Sequence, residues 1–298
     1  MLEHYQIPLK QFTDYLRFEK RYSGHTLLAY QTDIEQFFAY LQSQYDGINI
    51  LEINTPMIKS WLAELKGDDI TSRSIKRKIS SLKSFFKFHL KLGHIKVSPV
   101  ATIIAPKISK RLPSFVEEKD MDTLLNTLDF EDNWDGKTER LVLLTFYHTG
   151  IRLSELINLP IQQIDFHYNQ IKVLGKGNKE RIIPITSELV QSLQEYMSER
   201  MTIPSEFNTL FVTEKGKTLS RSRVYKLVKL NIGKVSTIHK KSPHVLRHTF
   251  ATHLMNNGAE LNAVKELLGH TSLAATQVYT HNSIEKLKEA YKKAHPKA

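Results

Sequence analysis

His244-Val-Leu-Arg-His-Thr-Phe-Ala-Thr-His253, followed by Leu268-Gly-His270 and Val278-Tyr-Thr-His281, is the stretch around which the chain is organised. Apolar Leu246, Phe250, Leu254, Ala263 and Leu267 recur at roughly helical spacing, which predicts helices with the polar residues on their other faces. Those polar residues are an arginine, several histidines and one tyrosine. Arginine offers phosphate oxygens a rigid fork, a neutral histidine takes or gives a proton, and a tyrosine hydroxyl can act as a nucleophile. The inventory suits phosphoryl transfer on a backbone phosphate, provided that an arginine and a lysine from upstream complete it.

A metal reading competes for the same residues. His244 and His248 have the i, i+4 spacing of a zinc site on a helix, but Val245 stands where a metalloprotease carries its glutamate. The chain has no cysteine and no obvious carboxylate as third ligand. No metal is therefore expected. The lack of cysteine also excludes disulfides and cysteine nucleophiles, and it is compatible with a reducing cytoplasm. No run of about 18 apolar residues predicts a membrane span, and Met-Leu-Glu-His-Tyr-Gln lacks the order of a secretion signal.

The 298 residues carry a formal net charge of +11, with 41% hydrophobic residues, enough for one large or two ordinary domains. Such a charge favours a polyanionic partner. Between Ile70 and Val116 there is no Asp or Glu, while eleven basic residues occur; removing those eleven from the 42 basic residues leaves as many as the 31 acidic ones. The net charge resides in that stretch.

Residues 7 to 66 read as three helices, the second following Ser23 and the third starting at Thr55-Pro56. A fourth helix is expected from about Ser72 to Leu92. Ile75, Ile79, Leu82, Phe86 and Leu90 fall on one side of it, and Arg73, Lys76, Arg77, Lys83, Lys87 and Lys91 on the other; Lys78 and Phe88 break the pattern. A solvated helix face normally mixes signs. This one has no carboxylate, which points to a DNA-facing helix. Gly93 ends it, and Ser98-Pro99, Pro106 and Pro113, with Lys107, Lys110 and Arg111, read as an extended basic linker. The expected domains are residues 1–103 and 113–298, joined by a linker at 104–112.

In the second domain, helices are expected over Glu117 to Leu128 and Glu139 to His148, with an acidic irregular stretch around Asp132 to Gly136 between them. Thr149-Gly150 ends the second of these. Ile151 to Leu159 reads as a short helix with Arg152 in its first turn, where a cation opposes the helix dipole. Either a carboxylate such as Glu155 holds it or an anionic ligand explains it. Gln170 to Leu174 and Glu180 to Ile185 read as a β-hairpin with lysines, Lys176 among them, at its tip. Helices follow at about 187–200 and 220–230. The last, Ser283 to Ala294, aligns Ile284, Leu287, Tyr291 and Ala294 as an apolar stripe that either folds back or docks on a neighbour.

Five motifs now carry a resemblance: Thr149-Gly-Ile-Arg-Leu-Ser-Glu-Leu156, Gly175-Lys-Gly-Asn-Lys-Glu-Arg181, His244-Val-Leu-Arg-His248, Leu267-Leu-Gly-His270 and Val278-Tyr-Thr-His281. In this order they resemble the tyrosine site-specific recombinases (the phage integrase family), specifically its XerC/XerD group, and no catalytic position departs from the pattern. Phe12 to Tyr22, Ser23-Gly-His-Thr26 and Tyr30-Gln-Thr-Asp33 resemble the family's core-binding domain, so the likeness covers nearly the full chain. It implies a mainly α fold with a small antiparallel sheet. A helical, SAM-like core-binding domain and a catalytic domain would form a C-shaped clamp on DNA.

The resemblance also implies roles. Tyr279 would attack the scissile phosphate, leaving a 3′-phosphotyrosyl bond and a free 5′-hydroxyl, as in type IB topoisomerase chemistry. Arg152 and Arg247 would clamp the non-bridging oxygens. Lys176 would be the general acid, His244 the base or relay, His270 a donor to the phosphate and Glu155 the orienting residue. Arg73, Lys76, Arg77, Lys83 and Lys87 would bind DNA. No cofactor is implied, because one phosphodiester is exchanged for another. The implied partners are a double-stranded recombination site, a homo- or hetero-tetramer on two such sites that includes a second Xer recombinase or further copies, and an FtsK-like DNA translocase. The C-terminal helix would be passed to a neighbouring protomer. The implied task is resolution of chromosome dimers at cell division, in the cytoplasm. An integrase or transposase of a mobile element is the alternative within the class; the lack of an arm-binding domain ahead of Gln6 favours the chromosomal role. A non-catalytic DNA-binding protein is the alternative outside it, and the complete set of catalytic residues argues against that.

Overall fold

The computed structural model describes residues 3–45, 48–107, 114–175, 180–269 and 281–297. The chain divides into two compact units, Met1–Arg111 and Leu112–Ala298.

The first unit is all helical: α1 (Glu3–Asp14), which widens into a π turn over Tyr15–Glu19, α2 (Gly24–Tyr45), α3 (Thr55–Gly67) and α4 (Ser72–Lys91). Local signals set the boundaries. The Asn54 side chain accepts the Met57 N–H at 3.2 Å, and Pro56 fills a first-turn position whose N–H would lack a helical partner. Thr71 caps α4 through the Ser74 N–H at 3.4 Å. Inside lie Phe12, Leu16, Ile34, Phe37, Phe38, Trp61, Leu82, Phe85 and Phe86, all buried. The ring of Phe85 stands edge-on to those of Phe12 and Phe38, at 5.4 and 5.5 Å. Such pairs add about 0.5–1.5 kcal/mol each beyond their burial.

The buried face of α4 differs from the expected stripe at its end. Ile75, Ile79, Leu82 and Phe86 are buried, but Leu90 is 40% exposed and His89 takes the inward place. One His89 ring nitrogen meets Pro8 O at 3.2 Å and the other meets His94 Nδ1 at 3.0 Å, so hydrogen bonding outweighs the apolar pattern there. The two residues that broke the pattern are also buried. Phe88 packs on Tyr15 at 4.7 Å, and Lys78 reaches Gln36 and, at 3.2 Å, the buried Asp33 of α2.

The second unit opens with α5 (Glu118–Asp122), again widening over Thr123–Thr127, then α6 (Trp134–Thr149) and α7 (Leu153–Ile157). Next come β1 (Ile164–Asp165), β2 (Gln170–Leu174) and β3 (Glu180–Pro184), followed by α8 (Ser187–Arg200), α9 (Arg221–Val235), α10 (Pro243–Asn256), α11 (Leu261–Leu268) and α12 (His281–Ala294). The three strands form one antiparallel sheet in chain order, with Lys172 opposite Ile182 and Val173 opposite Arg181. The fold class is the expected one, mainly α with a small antiparallel sheet. Among the described residues no helix is long and apolar enough to cross a membrane.

Two expectations are corrected here. Helix α6 begins at Trp134, five residues before Glu139: Asn133 caps it through the Gly136 N–H at 2.8 Å, and the Trp134 indole bonds Val212 O at 2.9 Å. Helix α9 continues to Val235, beyond the expected end near 230. Helix α12 folds back on its own unit in this single chain, one of the two places its apolar stripe allowed. Leu287, Tyr291 and Ala294 are buried with Phe250, Leu254, Leu267 and Leu268, and Tyr291 Oη donates to His148 O at 2.8 Å.

Candidate active site

The site is built at the end of α6. Gly150 caps that helix in the left-handed region (φ 56°), its N–H bonding Phe146 O at 2.9 Å. Any Cβ there would also lie 2.4 Å from the Phe250 ring, so only glycine lets α6 end against α10. The carbonyl of Gly150 then accepts from Arg247 Nη1 at 2.6 Å.

Two residues on, Arg152 is not in the first turn of α7 but is its N-cap residue, with extended φ and ψ of −76° and 150°. Glu155 resolves the conflict with the helix dipole. Its Oε2 accepts the Arg152 backbone N–H at 2.8 Å and its Oε1 accepts from Arg152 Nη1 at 2.8 Å. An anionic ligand is thus not needed to account for the cation at this position.

A third arginine enters from β3. Arg181 Nη1 and Nη2 donate to the two Glu155 oxygens at 2.8 and 2.7 Å. The three guanidiniums then meet three consecutive carbonyls at the end of α11. Arg181 Nε donates to Leu267 O at 2.9 Å, Arg247 Nη2 to Leu268 O at 2.5 Å, and Arg152 Nη2 to Gly269 O at 3.0 Å. The last carbonyls of a helix lack intrahelical partners and form the negative end of its dipole, so cations belong there.

The electrostatics follow from this packing. Burial alone would raise the Glu155 carboxyl, but the Arg181 guanidinium and the Arg152 N–H bonds outweigh it and hold its pKa at about 2. Burial, then the charges of Arg152 and Arg181, lowers the Arg247 guanidinium to about 9, still protonated at neutral pH. Among the described residues, Arg152 and Arg181 bond one carboxylate, and Arg247 feels its charge without bonding it. Arg247 is 8% exposed and Arg181 3%, whereas the Arg152 side chain keeps 29% exposure. A buried excess of positive charge with one open face attracts an anion.

His244 lies in the first turn of α10, three residues before Arg247 and hence on a neighbouring face, and is exposed. The structure thus joins Arg152, Glu155 and Arg247 and adds Arg181, to which the motifs alone assign no role. One signal could have marked Arg181: it shares the inward face of β3 with Ile183, two residues on. Lys176, His270 and Tyr279 lie outside the described residues, as do Lys110 and Arg111 of the expected linker.

The expected DNA-facing residues Arg73, Lys76, Arg77, Lys83 and Lys87 are all exposed on α4. The helix is not free of carboxylate, however. Asp33 of α2, fully buried, binds Arg77 at 2.6 Å, Lys78 at 3.2 Å and the Ser81 hydroxyl at 2.8 Å. A second basic surface was hidden by whole-chain charge counting. Helix α9 carries Arg221, Arg223, Lys226, Lys229 and Lys234 with no acidic residue. A groove of about 470 Å³ there is lined by Lys226, Lys229, Lys234 and Lys241 with Leu230 and Gly233. Among the described residues no cluster of three or more His, Asp or Glu could hold a metal ion.

Residues 114–286 match the phage integrase family, and residues 9–93 match the N-terminal SAM-like domain of phage integrases. The chain belongs to the phage integrase family of tyrosine recombinases. Tyrosine recombinase XerC of Pelobacter propionicus is 38% identical over 295 residues, covering 97% of this chain and 95% of its own. That of Staphylococcus aureus is 36% identical over 288 residues, 96% of each chain. Among solved structures, the XerH site-specific recombinase in its post-cleavage complex with palindromic difH substrate has a TM-score of 0.71 at 24% identity, covering 95% of this chain and 82% of that one. The Tn1549 transposon integrase with transposon right end DNA has a TM-score of 0.72 at 19% identity, covering 95% and 98%. At these identities the likeness is one of fold. As a tyrosine recombinase, the enzyme breaks and rejoins DNA.

Proposed function

We propose that this recombinase exchanges strands between two specific DNA sites through a 3′-phosphotyrosyl intermediate, and that its task is the resolution of chromosome dimers in the cytoplasm. Tyr279 attacks the scissile phosphate, and the 5′-oxygen leaves with a proton from Lys176. Arg152 and Arg247 hold the non-bridging oxygens, His244 serves as base or relay, and His270 donates to the phosphate. Glu155 aims Arg152. The bond energy of the phosphodiester is kept in the phosphotyrosyl ester, so strand rejoining needs no outside energy source.

The observation that carries this proposal is the convergence of Arg152 and Arg247 on the end of α11, with the Glu155 carboxylate bonding Arg152 beside them. Preorganised donors of this kind stabilise charge that grows in a transition state. The exposed cations of α4 supply phosphate contacts along the duplex. Identity of 36–38% with XerC proteins over nearly the whole chain supports the chromosomal task over mobile-element integration. Four protomers on two sites, a second Xer recombinase and a DNA translocase are the partners proposed with it.

The test is adduct formation on a nicked suicide substrate, resolved on a denaturing gel. Tyr279→Phe removes one oxygen and is expected to abolish the covalent adduct while leaving DNA affinity nearly unchanged. A labelled adduct persisting in that variant would mean that another residue is the nucleophile.

A further inference from the structure

Arg181 holds the centre together yet has no part in the chemistry just proposed. Each Glu155 oxygen is shared: Oε1 accepts from Arg152 Nη1 and Arg181 Nη1, and Oε2 from the Arg152 N–H and Arg181 Nη2, all at 2.7–2.8 Å. A carboxylate with four donors cannot turn, so the Arg152 fork takes its direction from a group that Arg181 has fixed. The same side chain also supports α11. Gly269 is left-handed (φ 64°), and a Cβ on it would lie 2.9 Å from Arg181 Cδ, so the turn that ends α11 lies directly on the arginine stem. Through Nε the arginine also takes the Leu267 carbonyl, next to the carbonyls held by Arg247 and Arg152.

We propose that Arg181 is a positioning residue of the recombinase, a role that rests on Arg152 and Arg247 being the phosphate clamp. Through Glu155 it sets the direction of the Arg152 guanidinium, and through Leu267 it sets the end of α11 against both clamping arginines. The role needs an arginine and not merely a cation. A guanidinium bonds a carboxylate through two nitrogens and a carbonyl through the third, in one plane; a lysine is a point charge that can satisfy only one of these directions.

The test is single-turnover cleavage at saturating DNA by full-length Arg181→Lys, on the suicide substrate and on the same substrate with a methylphosphonate at the scissile position. The methyl group replaces a non-bridging oxygen and removes the charge that the arginines neutralise, so misaiming of Arg152 matters less there. DNA affinity is expected to change little, and the rate on the phosphate to fall about 10²-fold, the scale of a displaced catalytic group. Most of that loss should be regained on the methylphosphonate. An equal loss on both substrates would reduce Arg181 to a structural prop, and an undiminished rate on the phosphate would overturn the role outright. If Arg181→Lys does not fold, the double variant Glu155→Gln with Arg181→Gln removes both buried charges together and is read in the same way. Arg152→Ala is the reference. If the methylphosphonate does not relieve its defect, the clamp itself is wrong. The positioning role is then decided by the Arg152 Nε–H NMR signal in DNA-free Arg181→Lys protein, where a shift supports it and an unchanged signal refutes it.

Discussion

Arg77, on the surface of α4, is tied at 2.6 Å to Asp33, a carboxylate of α2 with no exposure. Lys78 and the Ser81 hydroxyl hold the same carboxylate. Asp33→Ala removes the carboxylate that these three residues share and takes from the buried Lys78 ammonium its counter-charge among the described residues. Breaking a buried pair in this way costs about 3–5 kcal/mol. Urea unfolding of the full chain should show the loss as an earlier transition, and an unchanged midpoint would mean that Lys78 finds water instead.

Phosphate binding is measured by salt. Replacing Lys76, Lys83 and Lys87 with Ala should flatten the log–log dependence of DNA affinity on salt by about 0.9 for each phosphate that is no longer neutralised. Arg77→Ala should flatten it less, because its charge is already shared with Asp33. Lys226, Lys229 and Lys234 of α9 are the parallel set in the catalytic unit and should behave in the same way. A slope that stays at the wild-type value in either set would take that helix off the phosphates.

Much of the fold was legible because its boundaries carry their own chemistry. Asn54 before Thr55-Pro56, Thr71 before α4, Gly150 after α6 and the two short apolar runs of the hairpin act over a few residues. Long-range choices were not legible. Nothing in α4 says that a carboxylate 44 residues earlier will take Arg77, and the inward place of Arg181 on β3 does not say that its partner will be Glu155, 26 residues back. The stretch Asp132 to Gly136 is rich in poor helix formers, and α6 starts there because the Trp134 indole is anchored on Val212 and its ring on Tyr196 at 4.4 Å. An apolar stripe such as that of α12 reveals that a face will be buried but not by which molecule. Lys176, His270 and Tyr279 come from motif order alone.

The underside of α12 gives the enzyme an acid-sensitive seam. His148 of α6, His253 of α10 and His295 just past α12 are all buried. The His295 ring lies 4.9 Å from that of His148 and 4.9 Å from that of Tyr291. Glu188 at 3.9 Å from His148, together with Glu117, Glu118 and Lys297, are the charges facing the cluster among the described residues. Burial is the main force lowering all three imidazoles, that of His295 to about 4. The sign follows from where protons bind. Unfolded histidines take up protons near their ordinary value of about 6.5 while the folded ones stay neutral, so stability is complete above that pH and declines as pH falls toward 4. The slope is at most about 1.4 kcal/mol per pH unit for each histidine. Hydrogen exchange in α12 should accelerate between pH 6.5 and 4, and His295→Gln should weaken that dependence. Protection that stays constant across this range would show that the three rings are not what ties the helix down.

The general-acid role proposed for Lys176 can be told apart from the other proposed roles by chemistry, because a general acid is needed only for a leaving group that must be protonated. Lys176→Ala keeps Tyr279, the proposed nucleophile, and the two arginines proposed to clamp the phosphate, so it should bind DNA normally and cleave an ordinary phosphodiester slowly, by about 10²–10⁴-fold. A 5′-bridging phosphorothiolate changes the leaving atom to sulfur, which departs as a thiolate without help. Cleavage of that substrate by Lys176→Ala should approach the wild-type rate, whereas Tyr279→Phe and Arg247→Ala should stay defective on it. Tyr147 and Tyr291, both buried in the catalytic unit, are the controls, and their Phe variants should retain the adduct. If the phosphorothiolate restored nothing to Lys176→Ala, the lysine would be acting on the phosphate as a charge, and the proton for the 5′-oxygen would have to come from another residue.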